Sequence, residues 1–280
     1  MIRVGIFGYG NLGRGVECAI KQNDDMELVA VFTRRNQDTV SIKTEGVKVY
    51  SVDDAVKMKD EIDVVVNASY SQMHYSITMD LLNHGFNVVV EKPFAFTKAQ
   101  AIHLFDEAQN NNVFIMEAQK IVFLPITNHI KQIIQDKSLG ELHYVNMTSS
   151  FKPNYGYDHW MYSLEYGGGC LDGSTTYSTQ YLMYLLDSVN VNCQGLQLST
   201  PTGSDDFCQL QYSVDDKVIV SSCISMRVPT KNVANFYFDN GYIEVENYWK
   251  ARAMKIVRND SEEIVEYPCA CEFVYEVDHI

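Results

Sequence analysis

Three glycines near the start of the chain have the spacing of a pyrophosphate-binding turn. The segment Gly8-Tyr9-Gly10-Asn11-Leu12-Gly13 lies between a short apolar strand at 2–7 and a helical pattern that continues to Lys21. In such a turn the first glycine makes the bend, the second lets the backbone approach a phosphate, and the third lets the helix pack on the strand. The N-terminus of the helix favours the negative charge. We therefore predict dinucleotide contacts at Gly8, Gly10, Asn11, Leu12 and Gly13.

The residues after the second strand indicate which dinucleotide is bound. That strand, at 27–32, is followed by Thr33-Arg34-Arg35. NAD-specific proteins carry an Asp or Glu there for the ribose 2′-hydroxyl, whereas a hydroxyl and two guanidinium groups suit a 2′-phosphate. We predict that Thr33, Arg34 and Arg35 bind NADP(H), with NAD as the alternative. The competing interpretation is a glycine-rich turn followed by two solvated arginines.

Two polar stretches follow later strands of the same pattern. Ser69 and His74 come after the strand at 62–67, and Glu91-Lys92-Pro93 comes after the strand at 87–90. Ligands of a doubly wound sheet bind beyond the carboxyl ends of its strands. Proline fixes φ and removes a donor, so Lys92 is a charge in a rigid turn. We predict cofactor contacts by Ser69, His74, Glu91 and Lys92, and catalysis by Lys92; His74 could instead cap its helix.

Another candidate group lies in the second half of the chain. Three glycines at 167–169 precede Asp172 and Tyr177, where a helix begins. Tyr177 could exchange a proton with a substrate if a nearby cation such as Lys92 lowered its pKa. The alternative is a glycine hinge between domains, with Tyr177 as a packing aromatic. Four aromatic residues before the glycines either wall a pocket or cover a sheet edge: Tyr155, Tyr157, Trp160 and Tyr162.

The elements that position these residues change in type along the chain. Strands alternate with helices over the first 116 residues, which is typical of a parallel sheet. From His143 the chain is mostly strands, which predicts an antiparallel sheet with one covered face. The fold class is α/β: a Rossmann doubly wound parallel sheet followed by an α+β domain with a large open, mainly antiparallel sheet. The domains are predicted at 1–120 and 121–280.

Individual elements are predicted as well. The helices are expected from after Gly13 to Lys21, and at 52–59, 72–83, 98–110, 126–135 and 176–186. The remaining strands are expected at 47–50, 113–116, 143–151, 191–199, 206–213, 217–226, 233–238, 241–246 and 252–258.

Composition excludes several classes of protein. The chain is 46% hydrophobic and 21% charged, as expected for a globular protein. It contains no 18-residue apolar run, and we expect no signal peptide and no membrane partner. Seven cysteines without metal-type spacing predict reduced thiols in a cytoplasm and no metal site. The net charge of −14 argues against a nucleic-acid partner.

The motifs together resemble a known family. The GYGNLG turn, the Glu91-Lys92-Pro93 turn and the three glycines ten residues before Tyr177 are similar to the glucose-fructose oxidoreductase/inositol dehydrogenase (Gfo/Idh/MocA) family. From about residue 62 onward the chain resembles its dimeric dihydrodiol dehydrogenase branch. The resemblance implies a Rossmann domain for the dinucleotide and a second domain that binds substrate and forms a homo-oligomer, a dimer or tetramer, through its sheet.

The resemblance also implies a chemistry. Members move a hydride between NAD(P) and a carbon of a sugar, polyol or dihydrodiol, so the small-molecule substrate is a polyhydroxylated alcohol or a carbonyl compound. Carried over by position, Lys92 would contact the substrate hydroxyl and the nicotinamide ribose. Tyr177 would be the acid or base. Aligned on the glycines without a gap, the family's usual aspartate falls on Gly173 with Asp172 one place earlier, so Asp172 ranks below Tyr177.

Two departures keep other functions open. Residues 1 to about 60 are more similar to meso-diaminopimelate dehydrogenase, an NADP enzyme that deaminates an amino acid, so an amino-acid dehydrogenase is one alternative. The family's C-terminal helices are expected to be missing from this chain. Together with the shifted aspartate, this leaves a non-catalytic NADP-binding protein as another alternative.

Overall fold

The computed structural model describes residues 1–259 and 261–280, and these divide into two compact units. The first unit comprises Met1–Gln119 and Cys271–Ile280, and the second unit comprises Lys120–Ala270. Cys271–Ile280 therefore groups with the first unit, whereas the predicted second domain, 121–280, includes it. In the described part of the chain, no helix combines the length and the apolar character that a membrane span needs.

The first unit is built around six strands that are all paired in parallel. In chain order its elements are β1 (Ile2–Phe7), α1 (Asn11–Ile20), β2 (Met26–Thr33), β3 (Lys48–Ser51), β4 (Val64–Asn67), α2 (Ser71–Asn83), β5 (Asn87–Glu91), α3 (Lys98–Asn110) and β6 (Ile115–Ala118). The strand order is β3-β2-β1-β4-β5-β6, which confirms the predicted doubly wound sheet.

Both faces of this sheet are buried, because side chains alternate along each strand. Ile6 packs with Val16 of α1 on one face, and Phe7 packs with Leu81 of α2 and Leu104 of α3 on the other. A strand buried on both faces must be apolar along its whole length. This requirement explains the unbroken Val64–Val66 run of β4.

Two predicted elements of the first unit differ in detail. The helix predicted at 52–59 is a 3₁₀ helix, Val52–Glu61. Asp54 bonds to Ser51 and to Lys57, each three residues away, and this spacing aligns side chains in a 3₁₀ helix. The strand predicted at 113–116 lies two residues later, as β6.

The second unit contains an eight-stranded sheet. Its elements in chain order are α4 (Pro125–Asp136), β7 (Leu142–Ser150), α5 (Cys170–Ser174), α6 (Thr176–Leu186), β8 (Val191–Ser199), β9 (Asp205–Val214), β10 (Val218–Ser225), β11 (Val233–Phe238), β12 (Gly241–Glu246), β13 (Ala253–Arg258) and β14 (Ser261–Glu266). The strand order is β14-β13-β12-β11-β7-β10-β9-β8. Among the described residues of this sheet only β7 and β10 pair in parallel, so the prediction of a mainly antiparallel sheet is confirmed.

One face of this sheet is buried and the other is exposed. Along β9 and β10 every second residue is buried, including Cys208, Leu210 and Val220. The opposite face carries exposed apolar side chains, such as Leu196 at 80% and Ile264 at 69%. The edge strand β14 was not among the predicted strands, because its sequence SEEIVE is dominated by charge, as exposed edge strands commonly are.

Residues Cys271–Ile280 contribute to the core of the first unit. They contain the short helix α7 (Val274–Val277). Cys271, Phe273 and Val277 join the apolar cluster of α1. A Cβ atom at Gly15 would lie 2.7 Å from the Phe273 ring, so this glycine makes room for the ring.

Candidate functional site

The predicted cofactor-binding residues of the first unit leave neighbouring strands at one edge of the sheet. Phe7, at the end of β1, is paired with Phe32 of β2 and with Asn67 of β4. Asn67 is paired in turn with Val90 of β5. The glycine turn, Thr33–Arg35, Ser69 and the Lys92 turn therefore emerge side by side, at the edge where such sheets bind ligands.

Each of the three glycines in the turn is needed for a different physical reason. Gly8 has φ +92°, and a Cβ there would lie 2.6 Å from the Ala68 carbonyl oxygen. At Gly13 a Cβ would lie 2.4 Å from the Gly8 carbonyl oxygen. A Cβ at Gly10, by contrast, would meet none of the described residues within 4 Å. Packing thus requires the outer two glycines, while the middle one leaves room for a close approach to the backbone.

The start of α1 suits an anion. Gly10 is its N-cap, and none of the described residues caps it with a side chain or places an acidic group in its first turn. Its N–H groups and the positive end of the helix dipole are therefore directed at whatever lies beyond Gly10. The residues of this turn fit the pyrophosphate of a dinucleotide.

The arginines after β2 border the same turn. Arg35 donates a side-chain hydrogen bond to the Tyr9 carbonyl oxygen, and its main-chain N–H donates to Thr33 Oγ1 at 3.1 Å. The Arg34 guanidinium lies 5.9 Å from the centre of the Tyr70 ring. Both arginines are exposed, whereas Thr33 is buried. Arg35 thus contacts the glycine turn, Arg34 lies beside the loop after β4, and both cations can be reached from solvent.

The turn that carries Lys92 is held by side chains from several elements. The Lys92 main-chain N–H donates to the buried carboxylate of Glu91 at 3.2 Å. The main-chain N–H of Phe94 donates to Glu117 Oε1 at 3.1 Å. The Pro93 carbonyl oxygen lies 2.8 Å from His74 Nδ1. Lys92 itself is half-buried, so its ammonium group is carried by a fixed main chain.

His74 joins this turn to the loop after β4. Its Nε2 lies 3.1 Å from the Ser69 carbonyl oxygen, and the ring is 1% exposed. Burial lowers the pKa of His74, so the neutral ring donates to only one of the two carbonyl oxygens. Because His74 is enclosed by its own unit, its geometry suits positioning of the Lys92 turn and not the predicted direct contact with a cofactor.

Ser69 is ordered by a buried amide. Its hydroxyl donates to Asn67 Oδ1 at 2.7 Å. The Asn67 amide donates to Thr78 Oγ1 at 3.1 Å, inside α2. The loop after β4 is therefore fixed from within, and Ser69 is half-buried at the sheet edge.

In the second unit, glycines hold the segment that leads to Tyr177. A Cβ at Gly168 would lie 2.5 Å from the Met161 carbonyl oxygen and 2.7 Å from that of Trp160. Gly169 has φ +104°, and a Cβ there would lie 2.5 Å from Asp205 Oδ1. The Gly169 N–H donates to the Met161 carbonyl oxygen at 2.8 Å. Only glycine fits this contact between main chains.

Asp172 lies in α5, and Tyr177 lies in the first turn of α6. The Leu171 N–H donates to both carboxylate oxygens of Asp205 at 3.2 Å, which anchors the start of α5 on β9. Desolvation raises the pKa of Asp172, whose side chain reaches solvent. Tyr177 is half-buried. Cys170, between them and the glycines, is buried, and burial raises the pKa of its thiol.

The aromatic residues before the glycines are largely exposed. Tyr155 stacks on His159 with ring centres 4.0 Å apart and an angle of 8°. The next residue, Trp160, is tilted against His159 at 5.7 Å. Tyr162 is buried and meets Tyr157 edge-on. Three of the four predicted aromatic residues thus face solvent, and Tyr162 packs into the core.

Sequence reasoning missed two anchoring residues, Glu17 and Asp205. Glu17 is buried beneath the glycine turn and bonds to Tyr9 and Thr44. One signal for it was available: Glu17 lies on the apolar face of α1, four residues after Gly13 and three before Ile20. Asp205 starts an ordinary strand, and its partner is 34 residues distant in sequence.

Comparison with known families covers most of the chain. Residues 2–119 match a family model described as "Oxidoreductase family, NAD-binding Rossmann fold". Residues 127–244 match a model described as "GFO/IDH/MocA C-terminal domain".

Two kinds of relatives differ in their identity to this chain and in the share of it that they match. Meso-diaminopimelate D-dehydrogenase of Acetivibrio thermocellus is 52% identical over 88 residues, which cover 31% of this chain and 26% of that protein. Trans-1,2-dihydrobenzene-1,2-diol dehydrogenase of Xenopus laevis is 25% identical over 245 residues, covering 83% of this chain and 73% of that protein. The chain thus spans about a quarter or less of the diaminopimelate relatives and most of the diol dehydrogenase.

Among solved structures, a 3-ketoreductase from Actinomadura kijaniata in complex with NADP and TDP-benzene superposes with a TM-score of 0.88. The identity is 19%, and the match covers 99% of this chain and 88% of that one. At this identity the likeness establishes the fold.

Proposed function

Because the chain belongs to the GFO/IDH/MocA oxidoreductase family, we propose that it transfers a hydride between NADP(H) and a CH–OH or carbonyl carbon. The substrate class is a sugar, a polyol or a dihydrodiol-type alcohol. The observation that carries the proposal is the Lys92 turn, which leaves β5 at the same sheet edge as the glycine turn after β1. A cation fixed there is suited to binding an oxygen of a substrate.

NADP(H) is preferred in this proposal over NAD(H). The supporting observation is that Arg35 contacts the glycine turn, that Arg34 follows β2 at the same sheet edge, and that Thr33 adds a hydroxyl beside them. Guanidinium groups form charge-assisted hydrogen bonds with phosphate. The open side of Gly10 and the uncapped start of α1 support pyrophosphate binding.

The roles of the catalytic residues follow from their chemistry. The bound nicotinamide supplies or accepts the hydride. Lys92 would donate a hydrogen bond to the substrate oxygen and keep it oriented. Tyr177 would give a proton to that oxygen in reduction and remove it in oxidation. Asp172 would play a secondary part, since the desolvation that raises its pKa favours its protonated form.

Turnover by two variants tests these roles. After an NADPH-oxidation screen of sugars and other carbonyl compounds, we expect Lys92→Met and Tyr177→Phe each to lower kcat by at least about 100-fold, as loss of an acid–base group does. NADPH should still bind to both variants, as measured by fluorescence titration. Tyr184→Phe is a matched control, because Tyr184 lies in the last turn of α6 and its hydroxyl donates to Asn128 Oδ1 at 2.7 Å, away from the glycine segment.

The result can contradict the proposal in two ways. Near-full turnover in both variants would remove the catalytic assignment. No turnover by the natural chain across the panel, with tight NADPH binding, would favour a cofactor-binding protein without catalysis.

The local identity of 52% to meso-diaminopimelate D-dehydrogenase favours one further candidate, an amino-acid dehydrogenase. The match covers 26% of that relative. It therefore supports this candidate only through the part of the chain that the match spans. NADPH oxidation that requires both ammonia and a keto acid would support this candidate.

Assembly into a homo-oligomer through the second unit is also part of the proposal. The supporting observation is that the exposed face of the eight-stranded sheet carries apolar side chains on several strands, among them Leu196, Leu198, Ile219 and Ile264, and exposed apolar surface can mark a protein–protein contact. Light scattering measures the mass in solution, and a monomer would contradict this part.

A further inference from the structure

The first unit contains a buried carboxylate that the proposed chemistry does not use. Glu17, in α1, is 1% exposed. Its Oε1 accepts hydrogen bonds from the Thr44 N–H at 2.7 Å, the Thr44 hydroxyl at 2.7 Å and the Lys43 N–H at 3.0 Å. The Tyr9 hydroxyl donates to its Oε2. Four donors thus converge on one side chain.

This arrangement favours the ionised form of Glu17. Burial raises the pKa of Glu17, but the hydrogen bonds from Tyr9, Thr44 and Lys43 outweigh it, so the pKa lies below its ordinary value. Burial and the bond to Glu17 raise the pKa of Tyr9 to about 12. A buried charge is poor at stabilising a fold compared with an apolar side chain of similar size. The buried charge of Glu17 is better explained by its role in holding Tyr9, Thr44 and Lys43 in position.

Glu17 joins two loops that both border the predicted 2′-phosphate site. Tyr9 belongs to the glycine turn, and Thr44 belongs to the loop between β2 and β3, which begins at Arg34. Tyr9 is the link, because its hydroxyl donates to Glu17 while its carbonyl oxygen accepts from Arg35. The Arg35 guanidinium is therefore two hydrogen bonds away from Glu17.

We propose that Glu17, acting through Tyr9 and Thr44, is a positioning residue that sets the preference for NADPH over NADH. This inference rests on the proposed function. An exposed arginine loses side-chain entropy when it binds a phosphate, and a preorganised one loses less. Glu17 fixes the acceptor of Arg35 before the cofactor arrives. NADH lacks the 2′-phosphate, so its affinity depends much less on that arrangement.

The experiment measures the Kd of NADPH and of NADH by fluorescence titration. We expect Glu17→Leu to lower the preference for NADPH about tenfold, and Tyr9→Phe to lower it several-fold, since each removes hydrogen bonds to a charged group. Glu17→Gln should stay within about threefold of the natural chain, because its amide can accept from Thr44 and donate to Tyr9. The double variant Arg34→Ala with Arg35→Ala should lose the preference for NADPH completely.

A matched control separates positioning from stability. Asp63 accepts three hydrogen bonds from Arg3, at the opposite edge of the same sheet. Asp63→Asn should lower the melting temperature while it leaves the ratio of the two Kd values unchanged.

The outcomes distinguish the inference from the proposed function. A natural chain without preference for NADPH would overturn both. A clear preference that Glu17→Leu and Tyr9→Phe leave unchanged would overturn the inference alone. An equal loss of affinity for both cofactors would also overturn it, because that result indicates a purely structural role.

Discussion

In the first unit, the turn that carries Lys92 is held by side chains, among them the ring of His74 and the carboxylate of Glu117. In the second unit, the segment that leads to Tyr177 is held mainly by the close approach of main chains at Gly168. The first kind of contact is weakened when atoms are removed. The second is broken when atoms are added, because the neighbouring carbonyl groups cannot rotate away.

Adding one carbon atom to the second unit should have the largest effect. In Gly168→Ala the new Cβ would lie 2.5 Å from the Met161 carbonyl oxygen, so the main chain must move. Displacement of a catalytic group by about 1 Å can cost about 100-fold in rate. We expect kcat to fall by about 100-fold while the Kd of NADPH stays unchanged, as measured by steady-state kinetics and titration.

Gly173→Ala is the matched control for this experiment. A Cβ at Gly173 would lie 3.7 Å from the Gly167 carbonyl oxygen, an ordinary contact. Alanine also favours the helix α5 in which Gly173 lies. If Gly168→Ala were as active as Gly173→Ala, the main-chain contact would not position Tyr177.

Removing atoms from the first unit should have a smaller effect. His74→Ala deletes the ring beside the Pro93 carbonyl oxygen, but Glu91 and Glu117 still bind the turn. We expect kcat to fall by about tenfold and His74→Asn, which keeps a donor, to recover part of the loss. Steady-state kinetics with both variants measures the difference.

Thr78→Val provides the comparison for stability. Thr78 lies in α2 and accepts a hydrogen bond from the buried Asn67 at 3.1 Å. We expect the variant to unfold at a lower temperature with kcat unchanged. An equal fall in kcat in Thr78→Val and His74→Ala would show that lost stability alone explains the lower rate of His74→Ala.

Lowering the pH should change the contributions of His74 and Asp205 to stability in opposite directions. This is the smallest of the expected effects. Burial lowers the pKa of His74 below 6.5, so its contribution to stability is present above pH 6.5 and is lost as pH falls through the folded-state pKa. Burial, with a smaller effect from Asp172, raises the pKa of Asp205 above 3.8. Its contribution is present below that pH and is lost as pH rises through the folded-state pKa.

Urea unfolding from about pH 4 to about pH 8 tests these signs. The advantage of the natural chain over His74→Asn should shrink towards acid. Relative to Asp205→Asn, the natural chain should lose stability towards neutral pH. The same trend in both comparisons would contradict the assignment of at least one pKa direction.

The parts of the fold that local sequence specifies were predictable. The glycine turn and the valines of β4 have strict local patterns, so the parallel sheet and its ligand-binding edge followed from them. Arg34 and Arg35 could be placed at that edge because they directly follow β2. The role of Tyr177, by contrast, was left open by the residues and favoured by the family resemblance, and it stays a prediction.

The anchoring contacts were less predictable, since each joins residues that are distant in sequence. Glu17 finds Thr44 across a connection whose course no short pattern fixes. Asp205 binds the Leu171 N–H from another strand. The charged strand β14 shows no alternation of apolar residues. Its sequence alone therefore does not indicate a strand, and its place in the sheet is seen from its pairing with β13.

The helix α7 lies far along the chain from the sheet of the first unit on which its segment packs. Phe273, which fills the space beside Gly15, is joined to the rest of that unit through the whole of Lys120–Ala270. During translation, the amino-terminal sheet therefore leaves the ribosome well before the aromatic ring that seals one of its hydrophobic faces. The second unit is synthesised in between, so Phe273 can reach its place beside Gly15 only after Lys120–Ala270 has been made.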